Sequence, residues 1–259
     1  MLPHHEETIG RAIEHYRPDG EALALLLGGS LAHGYAAASS DVDVMVVVSD
    51  GDFEQRRRTN RTAWYSREMA TYPEGYVDVK FVSPAYLKLV AEKGSEPARF
   101  AFKDSKVLFS RLDGLDDLLA SVVRYPAGKD DRMARFAAQL EAWNWYAGEA
   151  LKRANRYLLD VSVGRLVLFG GRLVLAHNEL LYPYHKWFLR VLADAPDRPD
   201  GLIEAIDELT GQPSAATVAR FYELVKGWRD WGLTDPWPSV FMADSEMNWL
   251  DGHTPVDDL

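Results

Sequence analysis

The 259-residue chain contains no cysteine, which excludes disulfides, thiolate metal sites and a cysteine nucleophile. No apolar run approaches the roughly 18 residues that a membrane-spanning helix needs, so no membrane partner is expected. The N-terminal Met1-Leu-Pro-His-His-Glu-Glu lacks the basic-then-apolar order of a signal peptide, and the cytoplasm is the expected compartment. Basic residues are in deficit as well. Twenty-nine Lys and Arg against 39 Asp and Glu give a formal charge of −10, a field that repels polyanions. Nucleic acid is therefore a poor partner. A single nucleotide is not excluded, because a metal ion and a few local cations can meet its charge. Only the polar end of the chain, 251–259, is expected to fray.

What is present falls into two parts. Ile9, Ala12, Ile13 and Tyr16 have helical spacing, which predicts a helix over 6–16, broken by Pro18, Asp19 and Gly20. The short apolar run 22–27 stops at two glycines and predicts a strand buried on both faces. Alanines over 30–38 suit a short helix, and the β-branched run 41–48 predicts a second strand. The basic stretch 55–61 is either a loop or the exposed side of a helix, and 63–70 stays ambiguous. Alternation over 76–82 gives a further strand, 84–92 a helix and 106–109 a short edge strand. From about residue 115 the chain reads as helices over 115–123, 129–159, 161–192, 200–209 and 214–231, with a bend marked by Gly170-Gly171. The expected organisation is an α/β domain over 1–112 and an all-helical domain over 113–259.

The chemistry concentrates in Gly28-Gly-Ser-Leu-Ala-His-Gly-Tyr-Ala-Ala-Ala-Ser-Ser-Asp-Val-Asp-Val44. Residues two apart on a strand point the same way, so Asp41 and Asp43 project two carboxylates to one face. Such a pair is costly unless a cation intervenes, and hard oxygen ligands favour Mg²⁺. A two-metal site needs a third anionic ligand from a neighbouring strand, and Asp78 within Tyr76-Val-Asp-Val-Lys-Phe is the candidate. Gly28 and Gly29 let backbone approach a ligand without a Cβ in the way. Ser30, where a helix can begin, offers its hydroxyl and nearby N–H groups to a phosphate oxygen. An Asp-x-Asp alone or a Gly-Gly-Ser alone is commonplace; their order and spacing together are what carry the reading.

This pattern resembles the signature of the DNA polymerase beta-like nucleotidyltransferase superfamily, a Gly-Ser pair followed by Asp-x-Asp. In particular it is similar to the small bacterial members that include aminoglycoside and lincosamide nucleotidyltransferases. The match covers roughly residues 22–82. It implies an α+β fold, with a small mixed-sheet catalytic core and flanking helices followed by an all-helical bundle domain. It also implies that Gly29 and Ser30 hold the nucleotide's phosphates, that Asp41 and Asp43 ligate metal, and that Asp78 is the third carboxylate. Asp78 would either complete the second metal site or accept the acceptor's proton. The implied donor is ATP or another nucleoside triphosphate with two Mg²⁺, and the acceptor is a hydroxyl or amine of a small molecule, an antibiotic among them. Pyrophosphate would leave. Two alternatives remain, a transferase that modifies a protein or tRNA in a toxin–antitoxin system and a non-catalytic nucleotide-binding relative. A homodimer is one of the oligomeric states open to it.

A second resemblance lies in His177-Asn-Glu-Leu-Leu-Tyr-Pro-Tyr-His-Lys-Trp187. Related enzymes often carry an Asn, a Pro and a Lys on a helix facing the nucleotide. That would make Lys186 a point charge on the triphosphate. The alternative is a surface lysine beside a packed Trp187, with Tyr182 and Tyr184 either stacking on a base or lying in the core. His33 is close enough in sequence to reach a phosphate, Arg56-Arg-Arg58 with Arg61 reads mainly as a solvated face, and nothing local singles out Glu141 or Glu149.

Overall fold

The computed structural model describes residues 1–250 and 252, so the expected fraying of 251–259 lies outside the described residues apart from Gly252. Helix α1 (Pro3–Tyr16) starts earlier than its apolar spacing suggests, because Pro3 suits a first turn, where no N–H partner is needed. It is followed by β1 (Ala24–Leu27), α2 (Gly29–His33), β2 (Val42–Val47), α3 (Asp50–Arg58), β3 (Ala63–Ser66) and β4 (Val77–Val82). Then come α4 (Pro84–Lys93), α5 (Glu96–Phe100), β5 (Lys106–Ser110) and α6 (Leu115–Val122). The stretch 55–61 resolves largely as α3. Ser49 caps it by accepting from Asp52 N–H at 3.1 Å, and acids in the first turn and arginines in the last complement its dipole.

The fold is α+β. Five strands form one mixed sheet in the order β3-β4-β2-β1-β5, with β2 and β4 parallel and the other neighbours antiparallel. Period-two alternation sorts the side chains onto two faces. Leu25 and Leu27 of β1, Val44 and Val46 of β2, and Val77 and Val79 of β4 pack with Ile9, Ala12 and Tyr16 of α1. On the other face Ala24, Leu26, Met45, Val47 and Val82 pack with Leu87 and Val90 of α4 and with Leu115, Leu119 and Val122 of α6.

The chain divides into two units, Met1–Arg124 and Tyr125–Leu259, with the division falling after α6. The reason is α6, whose apolar side completes the second face of the sheet. Arg99 of α5, which is buried, reinforces this by donating to Gly94 O and Ala91 O at the end of α4 and to Val122 O and Arg124 O at the end of α6.

The second unit is all-helical: α7 (Lys129–Lys152), α8 (Arg156–His177), α9 (Phe188–Ala193), α10 (Leu202–Gly211), α11 (Ala215–Lys226) and α12 (Trp237–Ser245), then a 3₁₀ turn at Asn248–Leu250. Two helix expectations need correction. The break falls at 153–155 rather than at 160, where Ala154 turns left-handed (φ 49°) and Asn155 caps α8 through Leu158 N–H. The run 161–192 is not one helix. It stops at His177, and Glu179 and Tyr184 adopt positive φ on either side of Pro183. Gly170-Gly171 does not interrupt α8, which continues through it as one helix. A Cβ at Gly170 would stand 2.6 Å from Phe221 Cζ, and one at Gly171 2.3 Å from Phe188 Cζ, so the pair exists for close packing. Helix α12, unmarked in the sequence, is clamped to α7 by Arg135, which donates Nε to both oxygens of Asp244 at 2.9 and 3.0 Å.

Candidate active site

Beta pairing sets the centre of the site. Asp43 on β2 lies in register with Asp78 on β4 across the parallel pair, so their side chains emerge side by side from one face. Gly28 ties the β1–α2 turn to this point by donating its N–H to Asp43 O at 2.9 Å. Gly29 follows with φ +59°, and a Cβ there would lie 1.7 Å from Asp43 Oδ2. Only glycine lets that carboxylate lie over the turn.

Ser30, the next residue, is 5% exposed, and its Oγ is buried without a hydrogen-bond partner. A buried hydroxyl left unpaired costs about 1–3 kcal/mol, which makes it a natural donor or acceptor for a ligand. Its backbone carbonyl accepts from Tyr35 N–H at 2.9 Å, so the residue itself is held firmly.

Asp41 stands just before β2 and is half-buried. The loop leading to it is pinned at Ser40, whose carbonyl accepts from Tyr72 OH at 2.5 Å and from His5 Nε2 at 3.1 Å. Burial is the main reason the His5 pKa falls below its ordinary value.

The Tyr76 phenol registers all three predicted carboxylates. Its pKa is raised above the ordinary tyrosine value first by its hydrogen bond to Asp41, then by the charge of Asp41, by burial, and by the charges of Asp78 and Asp43. Tyr72 is raised mainly by burial and secondarily by Asp41.

Two participants were not singled out from the sequence, Tyr76 and Lys80. Lys80 Nζ lies 3.7 Å from Asp78 Oδ2 and 4.0 Å from Asp43 Oδ1. A signal for both existed. Tyr76, Asp78 and Lys80 are spaced by two across one alternating stretch, so they share a face by the same rule that pairs Asp41 with Asp43. Lys80 also lines a cavity of about 370 Å³ whose walls include Met45, Phe53, Val82, Tyr86 and Phe102.

Among the described residues no three His, Asp or Glu side chains close into a metal cage. Mg²⁺ does not require one. It is commonly held by one or two carboxylates and completes its octahedron with water and substrate phosphates. The in-register Asp43–Asp78 pair fits such an open arrangement, and the unpaired hydroxyl of Ser30 belongs to the turn that Asp43 packs against.

The other residues singled out from the sequence have surroundings of their own. Lys186 belongs to the second unit, in the irregular stretch between α8 and α9 and not on a helix, and its Nζ sits 5.2 Å from the Trp187 ring centre. Tyr182 is fully buried against Arg172, whose guanidinium lies 4.5 Å from the ring centre. His33 turns away into a contact of 3.1 Å between Nδ1 and Asp104 Oδ2. Arg57 and Arg58 pair with Glu54, and Arg56 pairs with Asp52 while covering Phe81. Glu141 accepts from Tyr222 and Lys226, and Glu149 from Lys152 and Arg153.

No protein-family model matches the chain, and no curated protein does. Among solved structures it is similar to a nucleotidyltransferase-like protein from Exiguobacterium sibiricum 255-15. The likeness covers 93% of this chain and 75% of that one, at 14% identity and a TM-score of 0.46. Among the described residues no helix is long and apolar enough to cross a membrane.

Proposed function

We propose that this chain transfers a nucleoside monophosphate from a nucleoside triphosphate to a hydroxyl or amine of a small molecule, releasing pyrophosphate. One observation carries the reading: Asp43 and Asp78 stand in register on neighbouring strands, and Asp43 packs against Gly29, the residue before a buried Ser30 hydroxyl that lacks a partner. Ser30 Oγ would donate to a phosphate oxygen of the donor, with ATP the first to test. Asp43 and Asp78 would hold Mg²⁺, with Asp41 as the third carboxylate, oriented by Tyr76. When bound, the metal supplies positive charge against the attacking and leaving oxygens. The protein's own task is placement, since an acceptor held in line with the α-phosphorus reacts without waiting for encounter. The apolar cavity beside Lys80 offers the acceptor's body a place to rest.

A second reading, nucleotide binding without transfer, draws support from Lys80, whose ammonium already balances Asp43 and Asp78. The two are separated by measuring pyrophosphate release with Mg²⁺ and each nucleoside triphosphate against a panel of hydroxyl and amine acceptors. Turnover with any acceptor supports transfer. Nucleotide binding without turnover favours the second reading, and neither binding nor turnover overturns both.

A further inference from the structure

Lys80 occupies the place where a cation is needed. Its ammonium stands between two carboxylates that β pairing forces together, at 3.7 and 4.0 Å. These distances exceed the 2.7–3.2 Å of an N–H···O hydrogen bond, so the contact is one of charge and not of locked geometry. The Lys80 side chain is 55% exposed, whereas Asp43 and Asp78 are 23% and 31% exposed. The carboxylates are thus fixed by the sheet and the cation is on a flexible tether. A divalent ion arriving alone has to compete with that tethered charge. One arriving with a triphosphate does not, because the phosphates give the displaced ammonium a new partner.

We propose that Lys80 is a built-in counter-cation that keeps the acidic pair together in the absence of metal and makes divalent-ion binding conditional on nucleotide. The proposal rests on the reading of Asp43 and Asp78 as metal ligands. Lys80 is a positioning residue here, acting on the carboxylates and then on the phosphates. The device has a practical consequence, since the site would stay unloaded by free metal and fill only when donor is present.

The test uses Mn²⁺ as probe, with free Mn²⁺ followed by electron paramagnetic resonance on the full chain, with and without a non-hydrolysable methylene analogue of ATP. The wild type should bind Mn²⁺ weakly alone and more tightly with the analogue. Lys80→Met should tighten binding without nucleotide by about tenfold, a modest share of what a unit charge exerts at salt-bridge distance near a protein surface. It should also lose most of the nucleotide-induced gain. Lys80→Arg, which keeps the charge, should behave like the wild type. A gain in affinity is not what a merely damaged site produces, and thermal melts of each variant check the fold. Mn²⁺ affinity in Lys80→Met that is unchanged or weaker overturns the proposal. Equal Mn²⁺ binding by wild type and Asp43→Asn overturns the metal-site reading itself, and the proposal with it.

Discussion

The two faces of strands β2 and β4 are built from alternate residues of the same short segments, yet they are made for different tasks. One face presents Val42, Val44 and Val46 beside Val77, Val79 and Phe81, all buried in a core shared with α1. The other begins with Asp43 and Asp78, sets Lys80 beside Met45, and becomes wholly apolar at Val47 and Val82 under α4 and α6. Stability therefore comes from a continuous apolar surface on one side. On the other, the strand starts are left polar and reachable, and the charge placed there depends on the first face to hold its register. A one-residue slip would exchange the two sets, putting carboxylates into the core.

That contrast is broken most severely by Val44→Asp. Val44 is 1% exposed, and a carboxylate there would be buried in an apolar cluster with no cation among its members. An uncompensated buried charge costs about 3–5 kcal/mol, a large share of a typical domain's stability. Urea denaturation should show a collapse of the midpoint or no folded protein at all. The neighbouring change Asp43→Asn should do the opposite. Nucleotide transfer should fall by about 100-fold or more, since a charged ligand is lost from the reacting centre. Stability should move by no more than about 0.5 kcal/mol, because Asp43 is partly exposed and its partner Lys80 is more so. An activity loss matched by an equal stability loss would show that Asp43 is structural.

The first face was easy to read in the sequence and the second only partly so. Runs such as 41–48 and 76–82 are β-branched and alternating, and nothing else suits them. Asp41, Asp43 and Asp78 follow from that alternation; Lys80 and Tyr76 obey the same period, but a lysine or tyrosine on an alternating strand equally suits a plain solvated face. Tertiary packing hid other features. The membership of α6 in the first unit depends on which surface Leu115, Leu119 and Val122 meet, a matter outside local pattern. The stop between α8 and α9 was nearer to hand, since Pro183 disfavours helix at itself and at the residue before it. Ala154 with φ 49° had no such flag; only Asn155, a good N-cap, hinted at the break.

Gly29→Ala tests how closely the turn and the acidic pair are coupled. The residue has φ +59°, and the added methyl would collide with Asp43 Oδ2. Left-handed backbone in a non-glycine residue costs about 1–3 kcal/mol, and here the clash must also be relieved by moving Asp43. A stability loss of about 2 kcal/mol is expected together with weakened Mn²⁺ binding. Retained Mn²⁺ affinity would separate the turn from the metal site.

The smallest effect sharpens the polar face by pH. The Tyr76 phenol is raised above its ordinary value of 10.0, chiefly by its hydrogen bond to Asp41. A group with a higher pKa in the folded state binds its proton more tightly there. The stability this contributes is complete below pH 10 and is lost as pH rises through the folded value. Between pH 9 and 11 the urea midpoint of the wild type should therefore fall more steeply than that of Tyr76→Phe, and the two should differ by a constant amount below pH 9. Parallel curves across the whole range would mean that Tyr76 does not feel the three carboxylates, and that they do not converge where Asp41, Asp43 and Asp78 are read to act together.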